Sequence, residues 1–346
     1  MPQLLSRVRL GRTNLVVPRL GFGALPIQRT TTDEAVRILR RAFAAGIRFF
    51  DTARAYSDSE EKLGLALADV RQEIVIATKT AATTAAEAKA HLQTSLAKLR
   101  TGYIDLIQLH NPDVLPTADD QGSAYAALVE ARRQGLVRHV GITCHRLSVA
   151  RAAVASGLFD TVQFPLSHIS TAEELSLVEA CRRQDVGFIA MKALCGGLLT
   201  NVRAAFAFFR RLDGVVPIWG IQHMSELEQF LALERQPPEL DPELEGAIAK
   251  DRHELAGSFC RGCGYCLPCP ADIPIHWAAR MSLLLRRAPY QQFLTDAWRE
   301  KMDRIDACTE CRACASRCPY ELDTPALLKT VLADYRQFAA AKATSG

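Results

Sequence analysis

One pattern runs through the first two thirds of the chain. Short apolar runs alternate with longer segments of helical spacing. The apolar runs are Leu20 to Phe22, Ile47 to Phe50, Ile74 to Ala77, Ile104 to Leu109, Val140 to Thr143, Thr161 to Gln163, Phe188 to Met191 and Val215 to Ile218. The helical segments are Asp33 to Ala44, Glu60 to Leu67, Ala85 to Leu99, Ala124 to Gln134, Leu147 to Ala155, Glu173 to Arg183, Val202 to Arg211 and Ser225 to Leu233. In the first of these, Val36, Leu39, Arg40 and Phe43 recur one turn apart. Strict strand–helix alternation predicts a parallel sheet. Eight repeats within roughly 230 residues predict a closed (β/α)8 barrel. An open doubly wound sheet is the alternative. It usually carries a Gly-rich turn after its first strand, and Gly21-Phe-Gly23-Ala24-Leu-Pro is not G-x-G-x-x-G. Residues 8 to 17 alternate around a turn and predict a short hairpin ahead of the barrel.

The second constraint lies near the end. Cys260-Arg-Gly-Cys263-Gly-Tyr-Cys266-Leu-Pro-Cys269-Pro270 is followed by Cys308-Thr-Glu-Cys311-Arg-Ala-Cys314-Ala-Ser-Arg-Cys318-Pro319. The second run matches the bacterial ferredoxin pattern C-x2-C-x2-C-x3-C-P; the first has two residues, not three, before its last cysteine. A cysteine at every third position of a tight loop turns three thiolates toward one point, and a cubane cluster takes its fourth ligand from elsewhere. In two-cluster proteins the fourth cysteine of each run serves the other cluster. That rule groups Cys260, Cys263, Cys266 and Cys318, and groups Cys308, Cys311, Cys314 and Cys269. Structural zinc is the competing reading, although it usually takes two C-x2-C pairs with a longer gap. One cluster in place of two also stays open, because the first run is irregular.

Composition narrows the partners. The chain of 346 residues has a net charge of +4 and no Lys/Arg-rich block, so nucleic-acid binding has no support. No run of about 18 apolar residues suggests a membrane span. The start, Met-Pro-Gln-Leu-Leu-Ser-Arg, lacks the apolar segment of a signal peptide, and a cytoplasmic protein is expected. A disulfide framework does not suit that compartment. Cys144, Cys181 and Cys195 lie outside the two runs, and Cys181 reads as a buried free thiol. Gln236-Pro237-Pro238-Glu-Leu-Asp241-Pro242 reads as a linker. Residues 243 to 258 look helical, His276 to Asp306 looks helical with a break at Pro289, and Thr324 can cap a helix from Pro325 to about Ala340. The last five residues read as a frayed tail. The expected organisation is therefore a (β/α)8 TIM barrel over 1–235, a linker and connecting helix over 236–258, and a helix-rich, ferredoxin-like iron–sulfur domain over 259–346.

Barrel active sites lie at the C-terminal ends of the strands. Four such positions carry groups suited to proton transfer: Asp51 after Phe50, Tyr56 in the next loop, Lys79 after Thr78 and His110 after Leu109. A free tyrosine titrates near 10 and is a poor acid at neutral pH, and a neighbouring lysine cation is expected to lower that value. Asp51 can hold Lys79, and His110 can hydrogen-bond a substrate carbonyl. Each also has a plain structural role open to it, as loop cap, rim aromatic, solvated cation or loop histidine. Four at successive strand ends favour a site.

Phe50-Asp51-Thr-Ala-Arg-Ala-Tyr56-Ser-Asp-Ser59-Glu60-Glu-Lys-Leu-Gly64-Leu-Ala-Leu67 resembles the aldo-keto reductase signature D-T-A-x-x-Y-x-x-S-E-x-x-L-G-x-A-L. Leu10 to Gly23 resembles that family's opening hairpin and first strand, and Tyr103-Ile-Asp105-Leu-Ile-Gln-Leu-His110 its fourth strand. The whole chain resembles the branch with a C-terminal 4Fe–4S domain. The resemblance implies a catalytic tetrad on Asp51, Tyr56, Lys79 and His110, Tyr56 as general acid, and reduction of aldehydes or ketones with NADPH.

The nucleotide side departs from the family pattern. Ser-Asn after strand five becomes Thr143-Cys144; Gln163 stands where the family's glutamine does; the ring-stacking tyrosine becomes Leu166. The late phosphate and adenine motif reads Ile218-Trp219-Gly220 and then Gln229-Phe230, with His223 in place of a basic residue. Gly196, Gly197 and Gly220 can bring N–H groups to a phosphate, or serve as turns. Lys192 can meet an anion or close a salt bridge. With Gly23 and Ala24 these complete the expected cofactor contacts. The expected function is reduction of a carbonyl or related small molecule with Tyr56 as proton donor, with electrons linked to two 4Fe–4S clusters and to NADP(H) or NAD(H). Two alternatives stand beside it. One is a nucleotide-independent iron–sulfur reductase fed by a ferredoxin- or flavodoxin-type carrier. The other is a redox-sensing or binding protein on the same scaffold.

Overall fold

The computed structural model describes residues 5–117, 119–255, 259–287 and 289–343. The expected helical character of 256–258 and the end of the expected tail, 344–346, lie outside these. The described residues fall into two compact units. One holds those of Met1–Ala193 and Arg203–Leu244, the other those of Leu194–Val202 and Glu245–Gly346.

The first unit begins with an antiparallel hairpin, β1 (Arg7–Arg9) and β2 (Val16–Pro18). Eight parallel strands follow: β3 (Gly21–Gly23), β4 (Phe49–Asp51), β5 (Val75–Thr80), β6 (Ile104–His110), β7 (Val137–Thr143), β8 (Thr161–Pro165), β9 (Gly187–Met191) and β10 (Val215–Gly220). They close into a barrel in sequence order, with β10 pairing back onto β3. The helices between them are α1 (Thr32–Ala44), α2 (Ser59–Leu67), α3 (Ala85–Lys98), α4 (Ala124–Arg133), α5 (Leu147–Ser156), α6 (Ala172–Arg183), α7 (Val202–Arg210) and α8 (Met224–Arg235). Thr84 and Thr171 open α3 and α6 with reciprocal capping boxes to Glu87 and Glu174, which satisfy N–H groups that a helix start leaves without partners.

Hairpin residues Val8, Leu10 and Val17 share one buried cluster with Phe49, Leu106, Ile189 and Val216 of the strands. The N–H of Arg12 donates to Asp185 O, just ahead of β9. The hairpin therefore sits where the strands begin and leaves their C-terminal ends as the mouth. Asp105 on β6 ties this barrel together. Its fully buried carboxylate accepts from Arg71 at 2.6 Å, from Arg138 at 2.9 Å and from the Ile76 N–H at 3.0 Å. Both guanidinium groups lie 4.1 Å from the centre of the Tyr103 ring.

The second unit is helical: α9 (Pro242–Glu254, whose last residues belong to it), α10 (Ile275–Ala278), α11 (Met281–Arg287), α12 (Asp296–Asp303), α13 (Ala313–Ser316) and the long α14 (Thr324–Ala343). The stretch expected as one helix with a single break is cut more finely, into three helices and two 3-10 turns, Tyr290–Phe293 and Arg304–Ala307. Leu328, Val331, Leu332 and Tyr335 of α14 are buried, and the Tyr335 hydroxyl donates to Phe293 O at 2.8 Å. The segment 194–202, which follows a barrel strand, belongs with this unit because Arg280 donates to Gly196 O and Arg287 to Leu198 O. No helix among the described residues is long and apolar enough to cross a membrane.

Replacing Asp105 with alanine leaves the buried Arg71 without its counter-charge. We expect a loss of about 3–5 kcal/mol of stability, read as a lower urea midpoint for the barrel's circular dichroism.

Candidate active site and cysteine cavities

The barrel register brings the four expected residues to one end. Asp51 closes β4, Lys79 lies in β5 and pairs with Gln108 of β6, and His110 closes β6 opposite Thr143 of β7. Lys79 Nζ donates to Asp51 Oδ2 and to Thr52 O, both at 2.6 Å, and the two charged side chains are almost fully buried. Burial raises the Asp51 carboxyl and lowers the Lys79 ammonium, and their mutual attraction opposes both shifts. The Tyr56 ring, half-buried, lies 5.1 Å from Lys79 Nζ at its centroid and meets the His110 ring edge-on at 5.9 Å.

The electrostatics differ from expectation at Tyr56. Its pKa is raised above the ordinary value near 10, first by burial and then by the Asp51 charge. The Lys79 ammonium does not lower it, because that ammonium is committed to Asp51 and Thr52. His110 is pushed down to about 3, by burial first and then by the Lys79 and Lys192 charges. At neutral pH the pair is thus a protonated phenol beside a neutral imidazole.

Gln108, not singled out from sequence, holds this arrangement together with Gln163 and Thr143, which the sequence had placed among the cofactor contacts. Gln108 donates to Gln163 Oε1 at 2.8 Å and reaches Asp51 Oδ1 at 3.4 Å; Gln163 also hydrogen-bonds Asp51. Thr143 donates to Gln108 Oε1 at 3.3 Å. These amides supply the extra hydrogen bonds that a buried ion pair needs. Glu60, 1% exposed, accepts from Thr78 at 2.7 Å and from Ser95 at 2.6 Å and pairs with Arg54. It thereby fixes the loop carrying Tyr56 to α2. The signature contains Glu60, but nothing in its spacing shows that role. Gln108 sat inside an apolar run, two residues before His110 on the same strand face.

In the second unit the eight cysteines ring two cavities. One is lined by Cys260, Cys263, Cys266 and Cys318, with Ile275 and Leu322. The other is lined by Cys269, Cys308, Cys311 and Cys314, with Cys266 at its edge and Ile273 and Leu328 in its wall. Despite the irregular spacing, the two runs wind alike: the residues before and after the second cysteine, Gly262 and Gly264 or Glu310 and Arg312, all have positive φ. Arg317 staples the runs together, donating to Cys266 O, Leu267 O and Pro268 O at 2.9–3.0 Å and to Ala313 O at 2.9 Å. Burial and then neighbouring thiols push Cys266 up to about 12, while the Ala313 N–H and then the Thr309 hydroxyl lower Cys311. Crowded, desolvated thiols of this kind fit metal, which binds the thiolate and supplies the compensating charge. Among the described residues no three His, Cys, Asp or Glu side chains converge on one ion position. The donors ring two cavities, the arrangement in which four thiolates surround a cubane.

Comparison with known proteins places both units. The aldo/keto reductase family matches residues 19–210, and a 4Fe–4S dicluster domain matches residues 259–323. The chain belongs to the aldo-keto reductase family. It is 29% identical over 211 residues to L-galactose dehydrogenase of Arabidopsis thaliana, covering 56% of this chain and 66% of that protein. It is 33% identical over 130 residues to methylglyoxal reductase DkgA of Escherichia coli, covering 37% of this chain and 45% of the relative. Among solved structures, a putative aldo-keto reductase of Pseudomonas aeruginosa aligns with a TM-score of 0.59 at 28% identity, over 66% of this chain and 94% of that one. The fold alone is shared with an aldo-keto reductase of Bacillus halodurans, at a TM-score of 0.61 and 21% identity, over 71% of this chain and 96% of that one.

In this aldo-keto reductase, some of the groups expected near a nucleotide phosphate are engaged within the protein. Gly196 O accepts from Arg280, and a Cβ built on Gly196 would lie 2.6 Å from the Arg280 guanidinium. The Gly197 N–H donates to Leu194 O. At the start of α8, Glu226 turns its carboxylate back onto the N–H groups of Gln222 and His223, at 2.7 and 2.9 Å, and fills the place an anion would take. Gly220 pairs with Gly23, and Ala24 donates to Asp51 O; these are close contacts between strands. Cys144 is a core thiol pushed up to about 12 by burial, its N–H donating to Gln163 O. Lys192 follows β9 at positive φ, and its charge reaches His110. A phosphate at this end would have to displace the Gly197–Leu194 hydrogen bond or the Glu226 carboxylate.

Arg317→Ala removes the donor to the three first-run carbonyls, of Cys266, Leu267 and Pro268, that link the two cysteine runs. We expect at least twofold faster bleaching of the cluster absorption in air, with an unchanged barrel signal in circular dichroism.

Proposed function

We propose that this chain reduces a carbonyl or related small organic substrate at the barrel mouth, with Tyr56 as proton donor and with electrons linked to two 4Fe–4S clusters. The Asp51–Lys79 pair with the Tyr56 and His110 rings beside it carries this reading. A raised pKa keeps Tyr56 protonated through neutral pH, so it is loaded to quench charge building on a carbonyl oxygen. A neutral His110 can donate an N–H to the same oxygen. Asp51 and Thr52 O hold Lys79 in place beside the Tyr56 ring, and the phenolate left after proton transfer is reprotonated from solvent. Conversion of a carbonyl to an alcohol takes two electrons and two protons, the second proton coming from solvent. When loaded, two 4Fe–4S clusters supply one electron each. A ferredoxin- or flavodoxin-type carrier would refill them. Methylglyoxal, named for one relative, is the first small carbonyl to try.

The family resemblance favours NADP(H) or NAD(H) as the electron source. The Gly197 N–H bonded to Leu194 O and the Glu226 carboxylate at the start of α8 favour the nucleotide-independent form. The test uses anaerobically purified chain carrying about eight irons, the content of two such clusters. Tyr56→Phe should lower methylglyoxal turnover about a hundred- to ten-thousand-fold with an unchanged melting temperature. The wild-type rate should show no His110 inflection near 6.5, since that imidazole stays neutral until the pH falls toward its depressed value of about 3. Wild-type turnover in Tyr56→Phe would remove Tyr56 from the mechanism.

A further inference from the structure

Arg280 lies in the turn between α10 and α11, outside the cysteine runs and outside every motif of the barrel. It is 5% exposed. Its guanidinium stands 4.9 Å from the centre of the Trp277 ring and donates to Gly196 O at 3.0 Å. Its other face meets the backbone between Cys260 and Cys263. A Cβ on Gly262 would lie 2.9 Å from Nη1 and 3.0 Å from Cζ, so the charge rests against the bare α-carbon of a cluster loop. The Gly262 N–H donates to Cys260 Sγ at 3.4 Å.

We propose that Arg280 sets the reduction potential of the first cluster, the one held by Cys260, Cys263, Cys266 and Cys318. Reduction adds one negative charge to a cluster. A cation packed against its ligand loop, screened from water, favours the reduced state and raises the potential. Net charge, hydrogen bonds to sulfur and solvent exposure are the levers a protein has on a cluster, and Arg280 works the first of them. Gly262 fits the same account: at φ +63° it is wound left-handed, and its missing side chain is what admits the guanidinium. The Trp277 ring and Gly196 O also hold the group. A reduced first cluster is the form that would feed the barrel chemistry proposed above, and the inference rests on that cluster reading.

The experiment is an anaerobic redox titration of the full-length, cluster-loaded chain, followed by electron paramagnetic resonance. Iron is measured first. A wild-type chain without iron would defeat the cluster reading itself and separates that failure from failure at Arg280. Arg280→Gln keeps a donor for Gly196 O and loses the charge; it should move one midpoint to more negative potential and leave the other in place. The signal that moves should be the one missing in Cys263→Ser. Arg280→Lys keeps the charge and should stay near wild type. Two unmoved midpoints in an iron-replete Arg280→Gln, or a shift in Arg280→Lys as large as in Arg280→Gln, would overturn the proposal. Loss of iron from both variants would make Arg280 a structural clamp and would overturn it as well.

Discussion

An ammonium and a carboxylate 2.6 Å apart inside a barrel set the terms for the rest of the site. Neither Lys79 nor Asp51 can be left alone there, because an unpaired buried charge costs about 3–5 kcal/mol. The pair stays ionised only with further hydrogen bonds around it. Thr52 O takes one from Lys79, and Gln108 and Gln163 give theirs to Asp51. The same commitment explains Tyr56. A lysine held between Asp51 and Thr52 is not free to draw the phenol proton off, so burial governs and the phenol stays protonated. A protonated phenol and a neutral imidazole are what a reductase needs at a carbonyl, and what an oxidising base would not be.

The second unit faces the opposite problem. Its buried groups are thiols that resist ionisation unless metal compensates them. The left-handed residues flanking Cys263 and Cys311, the Arg317 staple and the cysteines ringing two cavities all prepare ligand positions ahead of the metal. Segment 194–202 is recruited into this unit, its Gly196 and Leu198 carbonyls bound by Arg280 and Arg287, and its Gly197 N–H is taken by Leu194 O. The Glu226 carboxylate closes the other anion position. Together these shift the balance toward clusters as the resident redox groups.

How much of this was legible in the chain follows from range. The eight barrel strands could be read because strands buried on both faces are short, continuous apolar runs. Asp51, Lys79 and His110 stood out because each ends such a run with a polar group. Gln108 did not, being hidden inside one, and its partner Gln163 lies 55 residues away. Gly196 and Arg280 are separated by 84 residues, so a glycine that looks like a phosphate turn proves to be a packing surface for an arginine. Glu226 reads as an ordinary acid in a first helical turn; only the backbone shows that it occupies an anion site. The stretch from His276 to Asp306 breaks more often than its composition suggests, at the Arg280 turn and at the 3-10 turns Tyr290–Phe293 and Arg304–Ala307.

The central claim is that electrons held on the clusters reduce substrate at the Tyr56 site without a nucleotide. The most direct measurement is a single turnover. The chain is reduced chemically under argon, freed of excess reductant and nucleotide, and mixed with methylglyoxal while the visible absorption of the clusters is followed. The oxidised absorption should return, with one carbonyl reduced for every two electrons lost. Clusters that stay reduced, with product appearing only after NADPH is added, would contradict the claim.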